Sequence, residues 1–526
     1  MSQDQTDSTK TETPARAGRR EWIGLGVLAL ACVLYAMDLT VLFLAVPALT
    51  RDLQPSSAEL LWITDIYGFL LAGALITMGT LGDRIGRRKL LMIGGAAFGA
   101  VSVLAAFSTS AEMLIASRAL LGIAGATLAP STLSLLSNMF ADPDQRKVAI
   151  GVWVMSFSVG AAIGPIVGGA MLEFFWWGSV FLLAVPVMAL LLVLGPRLLP
   201  EFRDPRPGRF DIRSAAMSLA AVLTIIFGVK LVAEHGLGTT AALSILAGLA
   251  IGAVFIRRQR RLEDPLIDLD LFRVPAFNVA LGANTLAIFV VGGVFLFVAM
   301  YLQLVLGMSP LEAGLWTLPN TAVFIVASMA APRLVRHVTA AHVVAFGLWL
   351  TAAGLLVLTQ VGVEGGLALV VLGTVLIDAG TAFIVVLGTD LIVSSVPPER
   401  AGAASGISET GAELGGALGI AVLGSIGAVV YRSEMAGVIP ADAPRRAAEA
   451  GGDTLAGAVA VADQLPAGVL VAANDAFVLG LQYAALTSAV LAAGVAVLAA
   501  ILLRERRPAT DAAGVPCPGE IAPAKA

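Results

Sequence analysis

Apolar runs of roughly 20–30 residues alternate with short polar links along most of the chain. About 20 apolar residues, at 1.5 Å rise each, cross a hydrocarbon core of about 30 Å. The pattern predicts fourteen helices, numbered here as spans 1 to 14: 22–49, 60–81, 90–108, 111–139, 147–172, 176–196, 211–234, 239–256, 275–306, 309–331, 341–360, 366–396, 401–430 and 475–503. One long connection, 431–474, is rich in Ala, Gly, Asp and Pro and reads as a partly ordered external loop.

Composition agrees with that pattern. Of 526 residues 58% are hydrophobic and 13% charged, against about 25% charged in a soluble domain. The expected class is therefore an all-α integral membrane protein. The net charge of −4 is dispersed, with no basic face for nucleic acid. If the N-terminus is cytoplasmic, 27 Lys and Arg fall inside and four outside, while Arg118 and Lys230 lie within helices. This asymmetry satisfies the positive-inside rule with both termini in the cytoplasm. The polar first 20 residues lead into an apolar run without a cleavage site, so span 1 is read as retained. Cys32 and Cys517 form no disulfide framework. His235, His337 and His342 sit at helix ends without metal spacing or a nucleophile arrangement, so neither an enzyme nor a metal centre is expected.

A repeat is visible at an offset of 255: Gly151, Gly160, Gly164 and Val167 fall on Gly406, Gly415, Gly419 and Val422. It divides the chain into a tail (1–21), a six-helix bundle (22–200), two inserted helices (206–262), a second six-helix bundle (275–505, including the loop) and a tail (506–526). Halves related in this way are a transporter plan with the site at their interface.

Span 13 contains the most informative departure from symmetry. Gly411, Gly415 and Gly419 make a small-residue stripe, while Glu409 and Glu413, four apart, share another face. A carboxylate at mid-bilayer costs about 2.5–3.5 kcal/mol on insertion scales and marks an ion or proton path. The repeat places Val154 and Ser158 opposite these acids, so they belong to function and the glycines to the scaffold. Asp38 in span 1, Asp65 in span 2, and Asp378 and Asp390 in span 12 are further intramembrane acids. Trp62 and Phe69 flank Asp65 on its helix face, a site for a lipophilic cation through charge and cation–π contact. A wet carboxylate in an interfacial aromatic belt is the other reading there, and hydration near the cytoplasm is the other reading for Asp390. Arg118 in span 4 must find a carboxylate or carbonyls, or else snorkel to the interface.

Two motifs carry a family resemblance. Gly79-Thr-Leu-Gly-Asp83-Arg84-Ile-Gly86-Arg87-Arg88-Lys89, between spans 2 and 3, resembles the signature loop of the major facilitator superfamily. Gly160-Ala-Ala-Ile-Gly164-Pro165-Ile-Val-Gly168-Gly169 in span 5 resembles the antiporter signature of its drug exporters. With fourteen spans and the acids above, the chain resembles the fourteen-helix drug:proton antiporters of the QacA, SmvA and LfrA type. The resemblance implies that fold, a cytoplasmic latch at Gly79, Asp83, Arg84, Gly86 and Arg87, and proton coupling at Arg118. It also implies proton-driven efflux of quaternary ammonium antiseptics, dyes and other lipophilic cations by a monomer that needs no cofactor beyond the proton motive force. By position, Asp38, Asp65, Glu409 and Glu413 match acids of QacA-like proteins, whereas Ser408 stands where a second, neighbouring acid is expected. A dedicated exporter of one antibiotic or metabolite is the alternative on the same fold.

Overall fold

The computed structural model describes residues 16–203, 211–236, 238–262, 265–396, 401–440 and 443–502. Among them there is no strand. Fourteen helices are long and apolar enough to cross a membrane. Spans 1 to 6 are Arg19–Leu53, Ser57–Ile85, Arg87–Ala106, Ala111–Met139, Asp144–Phe174 and Ser179–Leu198. Spans 7 and 8, the inserted pair, are Ile212–Val232 and Thr239–Gln259. Spans 9 to 14 are Pro275–Val305, Pro310–Leu334, Ala340–Leu358, Leu367–Ser394, Ala404–Met435 and Gly468–Ile501.

Local chemistry sets the helix ends. Ser56 and Glu59 form a capping box that starts span 2, and Ser309 with Glu312 does the same for span 10. Gly86, at φ +108°, ends span 2 in a region that side chains avoid. Span 4 breaks between Gly125 and Leu128, where Pro130 cannot donate to the Ala126 carbonyl four residues back; Pro319 interrupts span 10 between Leu315 and Leu318 in the same way.

The repeat becomes visible as packing. A Cβ on Gly160 would collide with the Val33 carbonyl oxygen of span 1, and one on Gly164 with Thr40 and Met37. In the other half, Gly415 and Gly419 meet the carbonyl oxygens of Thr285 and Phe289 in span 9. Span 5 thus lies on span 1 as span 13 lies on span 9, each through a glycine seam.

The halves are joined at the face opposite the basic span 2–3 link. Gly169 abuts Pro310 and Leu311, Gly314 abuts Pro165, and Leu61 abuts Gly424. Toward the basic face, Val154 and Met155 of span 5 and Val326 and Met329 of span 10 are exposed.

The expected loop 431–474 is shorter and more ordered than its composition suggests. Span 13 runs on to Met435 and span 14 begins at Gly468, because apolar residues at both ends continue the helices. Between them lie two short helices, Arg445–Asp453 and Leu455–Ala460. Asp453 accepts from the Ser57 backbone N–H at 2.5 Å and from Arg432 at 3.2 Å, while Arg432 also donates to the Ser57 hydroxyl at 2.8 Å. This clamp joins span 2 to span 13 across the two halves.

Candidate functional site

Spans 1 and 4 bring together two residues 80 positions apart. Arg118 Nη1 lies 2.9 Å from Asp38 Oδ2, and its Nε donates to the Ile63 carbonyl at 3.3 Å. Its guanidinium also lies 4.5 Å from the centroid of the Tyr67 ring. Arg118 is 2% exposed and does not snorkel; a buried arginine keeps its charge and takes every donor's partner from protein.

The second acid departs from expectation. Asp65 is fully buried, with Lys230 Nζ 2.9 Å from Oδ1 and 2.7 Å from Oδ2. The cation over Trp62 is that same lysine, 3.6 Å from the ring centroid. Phe69 is 1% exposed, packed in a cluster with Ile226 of span 7 and Ala417 of span 13. The Trp62, Asp65 and Phe69 face is therefore neither a wet aromatic belt nor open to a cargo cation. A buried carboxylate demands a partner, and the inserted helix supplies one. Lys230 was missed as a site residue, although a lysine inside an apolar span is itself a signal.

In span 13, Glu413 Oε1 accepts a 2.7 Å hydrogen bond from the Tyr35 hydroxyl of span 1, 378 residues away. Glu409 and Glu413 are both half-buried. Ser408 is buried and its hydroxyl accepts from Asn284 at 3.4 Å, so it is packed against span 9. Among the described residues, Glu409, Glu413 and Asp378 form no ion pair.

A cavity of about 350 Å³ lies between the halves, walled by spans 1, 5, 9, 10 and 12. Its lining is mostly apolar, with Asp378, Asn320 and Thr381 as convergent polar groups and Pro165 of the span 5 motif in its wall. Phe157 lines it too, and meets the Tyr35 ring edge-on at 5.6 Å. Glu413 thus stands one ring behind the cavity wall, while Asp378 reaches the wall itself. Asp390 is exposed four residues before the end of span 12 at Ser394 and is not in the lining of this cavity.

Asp83, Arg87 and Arg88 of the latch loop have partners within their own half. Asp83, in the last turn of span 2, pairs with Arg87, the first residue of span 3, at 2.6 Å across the Gly86 junction, and Arg87 also donates to the Pro130 carbonyl at 3.4 Å. The Arg88 N–H donates to Glu201 at 3.1 Å, beside Gly86. Gly79 lies next to Pro130. In span 5, Gly160, Gly164 and Gly168 seat span 1, while Gly169 seats the start of span 10.

A model of the family described as "Major Facilitator Superfamily" matches residues 28–420, most of the chain. The chain belongs to the major facilitator superfamily. Among its relatives, the multidrug efflux pump LfrA of Mycolicibacterium smegmatis is 44% identical over 95% of this chain and 98% of its own. The methyl viologen resistance protein SmvA of Salmonella typhimurium is 35% identical over 87% and 93%. The tetracenomycin C resistance and export protein of Streptomyces glaucescens is 34% identical over 94% of each. A bacterial homolog of the lysosomal transporter Spinster shares the fold, with TM-score 0.65 over 94% of this chain and 100% of its own, at 19% identity. The superfamily member described here is a multi-pass membrane protein built on a transporter fold.

Proposed function

We propose that the protein is a multidrug efflux antiporter of the cytoplasmic membrane, exchanging protons for lipophilic cations. Quaternary ammonium antiseptics and dyes are the cargo class. The basic face is cytoplasmic by the positive-inside rule, the working unit is a monomer, and the proton motive force replaces any cofactor. The observation that carries this reading is the 350 Å³ apolar cavity between the halves, with Asp378 in its wall and the Tyr35–Glu413 bond behind it. An apolar pocket with one or two acids suits a greasy cation, and an acid that is not ion-paired can hold either cargo or a proton.

The halves meet at the face opposite the basic span 2–3 link, an arrangement suited to loading from the cytoplasm. Protons arriving from outside would take the place of cargo on Glu409, Glu413 and Asp378. Asp38, held by Arg118, is the coupling acid of the first half.

Ethidium efflux from energised vesicles tests the reading, with and without a proton uncoupler, for wild type and Glu413→Gln. Efflux should collapse with uncoupler and in the variant; efflux unchanged in both would defeat the coupling. A second reading, a dedicated antibiotic exporter, is favoured by the relative named for tetracenomycin C export, at 34% identity over 94% of the chain. A transport panel in which one antibiotic moves and no unrelated cation does would select it.

A further inference from the structure

Span 7 lies astride the two halves. It leans on span 2 at Gly73, where Leu219 fills the space a side chain would take, and shares a buried cluster with Ile66, Phe69 and Leu70. On its other side, Ile226 shares that same cluster with Ala417 and Ala421 of span 13. A helix in this position cannot keep both contacts if the halves rock. One must hold and the other must slide.

The chemistry of the two contacts differs. Toward span 13 the cluster is apolar and built on small residues, without a directional bond from span 7 among the described residues. Toward span 2 it carries the Lys230–Asp65 ion pair, 3% and 0% exposed, with the ammonium also seated over Trp62. A buried ion pair resists separation because each charge would be left without a partner.

We propose that Lys230 is a positioning residue for transport: it fastens the inserted pair, spans 7 and 8, to the first half through Asp65. The pair then moves with that half and slides over span 13. Occupied by its resident cation and sealed from the cavity, Asp65 takes no part in reading the charge of the cargo. This rests on the alternating-access reading above.

The test uses the full chain in proteoliposomes. In a background of Cys32→Ser and Cys517→Ser, spin labels are placed at exposed outer positions: Thr240→Cys with Gln54→Cys, and Thr240→Cys with Ser433→Cys. Between inward- and outward-trapped states the first distance should stay constant and the second should change. An invariant Thr240–Ser433 distance with a changing Thr240–Gln54 distance overturns the proposal.

Lys230→Met leaves a bare buried carboxylate and risks misfolding, so the neutral pair Asp65→Asn with Lys230→Met carries the kinetic arm. That folded double variant should bind ethidium with KM within about twofold of wild type while kcat falls at least tenfold. The exchanged pair Asp65→Lys with Lys230→Asp should recover kcat. A tenfold rise in KM in the neutral pair would show that Asp65 reads cargo and would sink the proposal. A wild type that fails to move ethidium in these vesicles would instead count against the efflux reading itself.

Discussion

Removing Arg118 alone should cost far more than removing both members of the Asp38–Arg118 pair. Arg118→Met leaves Asp38, 7% exposed, without its ion-pair partner among the described residues. Breaking a buried pair in this way costs about 3–5 kcal/mol. At about 1.4 kcal/mol per decade, that is two to nearly four decades in the folded-to-unfolded ratio. Asp38→Asn is milder, because the amide oxygen still accepts from Arg118, which also keeps the Ile63 carbonyl and the Tyr67 ring. Its loss is that of a charge-assisted bond, about 1.5–3 kcal/mol. The double variant Asp38→Asn with Arg118→Met leaves no charge in the site, so it should be more stable than Arg118→Met alone. Thermal and denaturant unfolding of the purified proteins in one detergent measures all three. Ethidium efflux should be lost in each, since stability returns without the coupling acid. Strict additivity of the two single effects would refute the reasoning, because it would mean that the charges do not depend on one another.

Three further outcomes follow from particular contacts. Gly419→Leu, which drives a side chain into the Phe289 carbonyl, should destabilise by about 1–3 kcal/mol or more and lower the melting temperature, whereas Gly151→Leu, with nothing within 4 Å, should leave it unchanged. Asp378→Asn should lower ethidium efflux at least tenfold, while Asp390→Asn, outside the cavity lining, should leave it within twofold of wild type; vesicle efflux assays measure both. Asp453→Ala removes the acceptor of the Ser57 backbone N–H and of one Arg432 bond, charge-assisted bonds worth about 1.5 kcal/mol at this half-exposed site, and should raise outward opening roughly tenfold. Outside labelling of a Ser158→Cys reporter with an impermeant thiol reagent reads that shift.

The spans and the glycine seams were legible because each rests on spacing within one helix. Gly160 and Gly164 against span 1, like Gly415 and Gly419 against span 9, follow from small residues four apart. The acids were legible as costly residues, but their partners were not. Arg118 reaches Asp38 across 80 residues, Lys230 reaches Asp65 across 165, and Tyr35 reaches Glu413 across 378. Such pairings depend on how helices are ordered in the bundle, which periodicity along a single helix does not encode. For that reason Asp65 and Trp62 looked like a cargo site when read alone. The lysine that fills it comes from the inserted pair, where the repeat offers no counterpart to compare.

The hydrogen bond from Tyr35 to Glu413 joins one half to the other through a group that can gain or lose a proton. Linkage then works in both directions. If protonating or occupying Glu413 shifts the balance between the two states by some factor, changing state must alter the grip of Glu413 on its proton or cation by the same factor. Under the proposed exchange the scaffold and the carboxylate would act as a single thermodynamic device, in which the bond could be weak enough to break in every cycle and still set the ratio of affinities on the two sides of the membrane.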